Sequence, residues 1–174
     1  MFISNIKLKN FRSYDDFSHT FGKNVLFLVG PNGSGKTNFL ESLRVLSLSK
    51  SFRARRDTEL INFEQDIARI EGQVKLSRQK VDLAVAIERA GHTARKTIQI
   101  NNKPARSIDL VGKMTTVLFS PDDLNLVIAS PAVRRRYLDI VICQVDPVYC
   151  KTLGEYGQVL RSRNQLLVRI NNGL

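Results

Sequence analysis

Eight residues near the amino terminus form a complete phosphate-binding loop of the pattern Gly-x-x-x-x-Gly-Lys-Thr. They are Gly30, Pro31, Asn32, Gly33, Ser34, Gly35, Lys36 and Thr37. The loop lies between an apolar run at 25–29 and an amphipathic segment that begins at Asn38. A strand before such a loop and a helix after it are the context in which this pattern is specific. The sequence therefore predicts an α/β unit built around a nucleotide phosphate site.

The residue types of this loop suit a triphosphate. Glycines let the backbone turn, so that successive N–H groups and the N-terminus of the following helix converge on the phosphates. We expect Lys36 to reach the outer phosphates and the Thr37 hydroxyl to bind Mg²⁺. The alternative is a glycine-rich turn with an incidental lysine, which the flanking strand and helix patterns argue against.

Composition indicates a globular protein with a polyanionic partner. The 174 residues are 43% hydrophobic and carry a formal charge of +11, with a pI near 10.1. One bound nucleotide does not need so much positive charge, whereas a nucleic acid does. Balancing acidic residues in a missing segment are the alternative. No signal peptide or membrane-spanning run is visible in the sequence, so a cytoplasmic location is expected.

Cysteine and histidine usage suggests no metal site. Cys143 and Cys150 lie seven residues apart in a helical pattern without partners at metal-ligand spacing, and we expect them to be packing residues, with a metal or disulfide role as the alternative. His19 and His92 are isolated and support no catalytic role.

Hydrophobic periodicity predicts strands and helices around the loop. Strands are expected at 2–11, at 14–21 and, fully buried, at 25–29. A helix follows the loop as far as about residue 48, and a short helical turn is expected at 57–61. Alternation at 67–74, 81–87 and 96–100 predicts an antiparallel meander with a turn at 101–104.

The C-terminal third of the chain is predicted to begin with a short buried strand at 115–119 and to become helical. Ser120-Pro121 and Ser130-Pro131 each provide a helix cap followed by proline at the first helical position. A further long helical pattern runs from Pro147 to the end of the sequence.

A P-loop ATPase normally holds Mg²⁺ with a downstream apolar strand that ends in aspartate. The candidates Asp139 and Asp146 lie in helical patterns, and the pair Asp122-Asp123 opens a predicted helix. We therefore expect the chain to be an N-terminal fragment that binds nucleotide but does not hydrolyse it alone.

Three further segments carry a resemblance to a known family. They are Ile6-Lys7-Leu8-Lys9-Asn10-Phe11-Arg12-Ser13-Tyr14, Lys50-Ser51-Phe52-Arg53, and the stretch from Phe119-Ser120-Pro121-Asp122-Asp123-Leu124 through Ser130 to Asp139. Together with the loop, they resemble the N-terminal half of the RecF family of bacterial recombination mediators, from residue 2 to about 170. Members are ABC-type ATPases whose heads are similar to those of SMC proteins.

The resemblance implies a P-loop NTPase fold of the ABC/SMC-head type, with an antiparallel meander and the start of a helical lobe. Residues 1–120 would be the N-terminal part of the ATPase lobe, and residues 121–174 the start of the helical lobe. It further implies ATP and Mg²⁺ as ligands, an ATP-dependent homodimer, and double-stranded DNA, RecR and RecO as partners. The implied role is recombinase loading at single-strand gaps in DNA repair, replication and the SOS response to DNA damage.

Several site residues follow from the resemblance. Asn38 continues the loop, and Arg12 matches an element close to the nucleotide, with a surface salt bridge as the alternative. Arg53 resembles an arginine that faces nucleotide, DNA or a partner head. The alternative is that Arg53, Arg55 and Arg56 form a solvated basic turn.

Three consecutive arginines, Arg134, Arg135 and Arg136, match a further hallmark of the family. Near a helix start they oppose the helix dipole, which phosphate contact or pairing with Asp139 and Asp122 would offset.

Two other functions are alternatives. A stand-alone nucleotide kinase or GTPase would need an acceptor lid or a guanine-selecting Asn-Lys-x-Asp, and neither is visible. A DNA-binding or scaffolding module with a vestigial loop would fit the charge, but every key residue of the loop is present.

Overall fold

The computed structural model describes residues 1–22, 25–77, 79–120, 123, 126, 128 and 130–172. The chain divides into two compact units, Met1–Leu118 and Phe119–Leu174. The strands are β1 (Phe2–Phe11), β2 (Tyr14–Thr20), β3 (Ile67–Lys75), β4 (Lys80–Ala90), β5 (Thr93–Ile100) and β6 (Lys103–Ala105). The α-helices are α1 (Lys36–Leu48), α2 (Ser107–Leu110), α3 (Pro131–Val145) and α4 (Pro147–Asn171), and a 3₁₀ turn covers Asp57–Leu60.

The first unit is built on one antiparallel sheet of six strands in the order β2-β1-β3-β4-β5-β6. This confirms the predicted meander. Asn101 and Asn102 both have positive φ, 51° and 61°, which suits the two-residue hairpin turn between β5 and β6. The predicted turn at 101–104 was therefore too long, because Lys103 and Pro104 already belong to β6, an edge strand where proline is tolerated.

Alternation along the strands separates a buried face from a solvent face. In β1, Ile6 and Leu8 are buried while Lys7 and Lys9 are exposed. Helix α1 covers the buried face, and its Leu46 lies directly over Gly72 of β3, where an added Cβ would come within 2.6 Å of Leu46 Cδ2. The predicted helix after the loop is confirmed, and it begins at Lys36 rather than Asn38.

Two predictions of buried strands were wrong. Residues 25–29 and 115–119 form no strand, and their side chains include strongly exposed ones such as Val29 (91% exposed) and Val117 (92%). A strand forms only where a neighbour satisfies its backbone N–H and C=O groups. Within the part of the chain that the structure describes, neither run pairs with another strand.

The stretch between the two predicted Ser-Pro caps is described only in part. The Asp123 carboxylate accepts from the Ser120 backbone N–H at 2.6 Å and from the Ser120 hydroxyl at 2.9 Å. Pro121, Asp122 and Leu124, which belong to the predicted helix and to the family motif, lie outside the described residues.

The second unit contains the predicted helices α3 and α4. Ser130 is the N-cap of α3 with Pro131 following, although its hydroxyl makes no capping hydrogen bond. Asp146 caps α4 by accepting from the N–H groups of Val148 and Tyr149. Burial raises the pKa of the Cys143 thiol to about 12, with a contribution from its hydrogen bond with Cys150. None of the helices within the described ranges combines the length and apolarity needed to cross a membrane.

Candidate phosphate-binding site

The predicted loop has the backbone of a phosphate cradle. Gly33 and Gly35 have φ of 85° and 93°, a region that favours glycine, and Gly35 is the N-cap of α1. At Gly30, an added Cβ would come within 2.8 Å of Ser34 Oγ. Backbone conformation therefore requires glycine at Gly33 and Gly35, whereas a Cβ at Gly30 would need the Ser34 hydroxyl to rotate away.

The N-terminus of α1 is electrostatically prepared for an anion. No side chain caps this end, and its first turn contains no acidic residue. The first N–H groups of the helix lack partners within the helix, and they form the positive end of its dipole. Lys36 begins the helix and folds back over the loop, where Nζ donates to the carbonyl oxygens of Gly30 (2.6 Å) and Pro31 (2.7 Å).

The first turn of α1 also provides one oxygen ligand suited to Mg²⁺. Thr37 is exposed beside Lys36, so its hydroxyl is accessible to a hydrated cation that bridges to phosphate. Among the described residues, no group of three His, Cys, Asp or Glu side chains could hold a metal ion. These residues fit a metal bound mainly through the phosphates and water, as Mg²⁺ usually is.

The turn between β1 and β2 packs against the loop and the start of α1. The Tyr14 hydroxyl donates to the Gly35 carbonyl at 3.2 Å, and Asn38 Nδ2 donates to Ser13 Oγ at 2.9 Å. Burial raises the pKa of Tyr14, so the phenol keeps its proton and remains a donor. The helix side of the loop is therefore held by a turn distant in sequence.

Arg12 and Arg53, both predicted site residues, meet at a carboxylate that sequence reasoning missed. Glu41 is fully buried on α1, and its two oxygens accept from Arg12 Nη2 (2.8 Å) and Nε (2.9 Å). Arg53 Nη2 donates to Glu41 Oε2 at 3.2 Å and to Asn38 Oδ1 at 2.7 Å. Arg12 thus forms an ion pair with a buried partner, rather than the alternative surface salt bridge.

Glu41 remains ionised in this setting. Burial raises the pKa of its carboxyl group, but hydrogen bonds from Arg12 and Ser51, together with the charges of Arg12 and Arg53, outweigh burial and lower the pKa below the ordinary value. The available sequence signal was a single acidic residue on the apolar side of a helix, flanked by Phe39, Val45 and Leu46.

The other predicted arginines are exposed. Arg55 and Arg56 lie just before the 3₁₀ turn, and neither side chain forms an ion pair within the described residues. Arg134, Arg135 and Arg136 are exposed in the first turns of α3, in the second unit. Of the two alternatives that would offset the helix dipole, pairing with Asp139 is not seen among the described residues, where Asp139 accepts from the Tyr149 hydroxyl at 2.6 Å. Phosphate contact stays a prediction. Asp122, the other predicted partner, lies outside the described residues.

Comparison with known proteins is consistent with this architecture. The family model described as the RecF/RecN/SMC N terminal domain matches residues 2–126. The DNA replication and repair protein RecF of Bacillus cytotoxicus is 41% identical over 168 residues, which are 96% of this chain and 44% of that protein. The protein of the same name from Bacillus thuringiensis is 39% identical over 171 residues, 98% of this chain and 44% of its own length. The chain therefore spans less than half the length of these relatives.

Solved structures agree with the sequence matches. A recombination mediator protein RecF solved with ATP, in the RecFOR pathway, matches with a TM-score of 0.89 and 30% identity over 97% of this chain and 45% of that one. The RecF-ATPrS structure gives a TM-score of 0.91, also at 30% identity, over 99% of this chain and 46% of that one. The SMC head domain from Thermotoga maritima shares the fold, with a TM-score of 0.53 and 24% identity over 63% of this chain and 41% of that one. The chain belongs to the RecF/RecN/SMC N-terminal domain family, and its similarity is to the N-terminal part of RecF proteins.

Proposed function

We propose that this chain is the ATP-binding part of a DNA repair and replication ATPase head of the RecF type. The observation that carries the proposal is the uncapped N-terminus of α1 beneath a glycine loop with Lys36 folded over it. The similarity to a RecF structure solved with ATP supports the identity of the nucleotide.

Each loop group has a binding role in this proposal. The backbone N–H groups of the loop and of the first turn of α1 donate to phosphate oxygens. Lys36 exchanges its two carbonyl acceptors for the outer phosphates, where an ammonium gains more from a negatively charged acceptor. The Thr37 hydroxyl binds Mg²⁺, which when present neutralises charge on the phosphates. The sequence shows no apolar strand ending in aspartate after the loop, so we expect background turnover by this chain.

The remaining functional expectations belong to the same proposal. The charge of +11 supports double-stranded DNA as a partner. RecR and RecO, an ATP-dependent homodimer, recombinase loading at gaps and a cytoplasmic location are proposed from family membership. Within that assembly the first unit would be part of the ATPase lobe, and the second unit the start of the helical lobe.

Lys36→Ala tests nucleotide binding. We expect at least about a tenfold loss of ATP affinity, since a charge-assisted hydrogen bond contributes roughly 1.5–3 kcal/mol. Titration calorimetry with Mg²⁺-ATP measures the change. Lys50→Ala is the matched control, because Lys50 is an exposed lysine just beyond the other end of α1. Equal affinities of the parent and Lys36→Ala, or steady ATP turnover by the parent, would contradict the proposal.

Arg55→Ala combined with Arg56→Ala tests the DNA surface. We expect weaker duplex binding with unchanged ATP affinity, and a shallower dependence of binding on salt because fewer phosphate contacts are made. Fluorescence anisotropy across a salt series provides both quantities. Arg161→Ala with Arg163→Ala, an exposed pair on α4, controls for the loss of two charges. Identical salt slopes for the two double mutants and the parent would place the DNA surface elsewhere.

A further inference from the structure

A closed ring of hydrogen bonds lies directly beside the phosphate loop. Arg12 and Arg53 both donate to Glu41, and Arg53 also donates to Asn38. Asn38 in turn donates to Ser13, the chain neighbour of Arg12. The ring joins the β1–β2 turn, the start of α1 and the segment after α1, and Asn38 directly follows Thr37 of the loop.

The ring contains one more positive charge than negative charge. Glu41 is fully buried, and the bidentate contact from Arg12, whose side chain is 17% exposed, provides its counter-ion. Arg53 is 47% exposed and uses a single nitrogen, Nη2, for both of its side-chain contacts. Its other donors, Nε and Nη1, make no hydrogen bond within the described residues. Arg53 is therefore the cation of the ring with capacity for a further anion.

Burial of the Glu41 carboxylate costs free energy, and side-chain packing alone does not require a charged residue at this position. A buried carboxylate loses its hydration, and a well-packed apolar side chain is often at least as stabilising as a buried ion pair. Arg12 itself has a left-handed backbone, with φ of 54°, which a non-glycine residue adopts under constraint. Ser51 adds a further contact, because its hydroxyl donates to Glu41 and accepts from the backbone N–H of Arg53 at 2.8 Å. Three residues, Glu41, Asn38 and Ser51, thus fix Arg53 beside the phosphate loop.

We propose that Glu41 is a positioning residue of the phosphate site, which holds the Arg53 guanidinium beside the start of α1 so that its free donors meet an anionic group of the bound nucleotide. This inference rests on the proposed function. Glu41 acts through Arg53 and, being buried, does not itself contact the ligand. The Arg53 nitrogen Nη2 keeps its contacts to Glu41 and Asn38 when nucleotide binds.

A double-mutant cycle tests this assignment. Glu41→Gln keeps the shape of the side chain and removes its charge, whereas Arg53→Ala removes the positioned cation. We expect each single variant to bind Mg²⁺-ATP about tenfold more weakly, and the double variant no more weakly than Arg53→Ala. Glu88→Gln, an exposed carboxylate on β4, controls for the change in net charge. Unchanged affinity of Glu41→Gln, or effects that multiply in the double variant, would overturn the assignment.

A second measurement needs no nucleotide. In the parent, the side-chain N–H signals of Arg12 and Arg53 in nitrogen-15 NMR are expected to exchange slowly with water, and in Glu41→Gln those of Arg53 are expected to exchange fast. Slow exchange that persists in the variant would contradict positioning by Glu41. If the parent binds no ATP, the proposed function fails, and the NMR result alone decides whether Glu41 holds Arg53.

Ser51→Ala covers the case in which Glu41→Gln does not fold. It removes one hydroxyl that touches both Glu41 and Arg53, while the ion pairs remain. We expect a loss of ATP affinity of about threefold that disappears in the Arg53→Ala background. A loss of equal size in both backgrounds would overturn the assignment.

Discussion

Gly72→Ala tests how the phosphate-loop helix is seated on the sheet. The added methyl carbon would lie 2.6 Å from Leu46 Cδ2 and 3.1 Å from the backbone oxygen of Asn5. Carbon atoms pack at about 3.5–4.0 Å, so one of them must move by roughly 1 Å. Leu46 is fully buried, and the Asn5 oxygen is part of the sheet backbone. Overpacking costs about 1–3 kcal/mol, and replacing glycine within a strand offsets roughly 0.5–1 kcal/mol. We expect a net loss of about 1–2 kcal/mol.

The assay must report on the first unit alone, because the chain divides into two compact units and a two-state transition of the whole chain cannot be assumed. Hydrogen exchange of β3 and α1 peptides across a urea series meets this requirement. Leu46→Ala removes the colliding group, so the double variant with Gly72→Ala should lose at least about 1 kcal/mol less than the two single losses combined. Gly91→Ala is the matched control, since its cost comes from a φ of 60° with no nearby atom and should add to that of Leu46→Ala. A Gly72→Ala variant as stable as the parent, or strict additivity with Leu46→Ala, would refute the close-contact explanation.

Two further predictions concern charge and capping. Because the folded pKa of Glu41 lies below its ordinary value of 4.5, the stability gained from its ionised form should be fully present above about pH 5 and fall as the pH drops through the folded pKa. Urea titrations of the parent and Glu41→Gln at several pH values should show that their difference in free energy of unfolding shrinks on acidification. A constant difference in that free energy from pH 6 to pH 3 would contradict this prediction. Asp146→Ala removes the acceptor of two N–H groups at the start of α4, so the hydrogen-exchange protection of the first turn of α4 should fall by about 1 kcal/mol. Glu155→Ala, in the middle of the same helix, is the control. Unchanged protection at Val148 and Tyr149 would show that the cap contributes nothing.

The predictions that succeeded rested on local patterns. Alternation along β3, β4 and β5 identified the meander, because each strand has one buried and one exposed face. The glycine-rich loop identified the helix that follows it, while the phosphate site at that helix stays a prediction. The strands predicted at 25–29 and 115–119 failed because an apolar run cannot indicate whether a neighbouring strand is present to pair with it.

The carboxylate at the centre of the site escaped prediction for a related reason. Glu41 lies 29 residues from Arg12 and 12 from Arg53, so no local window contains all three. Arg12 and Arg53 were singled out by family resemblance, which gave their neighbourhood but not their counter-ion. For the arginines of α3, sequence proximity to Asp139 made pairing one of two alternatives, and the described contact of Asp139 is with the Tyr149 hydroxyl.

The pairing of β1 with β3 has a consequence for the order in which this chain can fold during synthesis. β1 and β2 can form a hairpin as soon as residue 20 has emerged, since their contacts are local. Helix α1 comes next, but the strand beneath Leu46 begins only at residue 67. Until then Leu46 lacks the strand that it covers, although Phe39 and the phosphate loop can already contact the β1–β2 hairpin. A pause in translation between residues 48 and 67 would therefore prolong a stage in which the Leu46 side of α1 is exposed to water or to a chaperone.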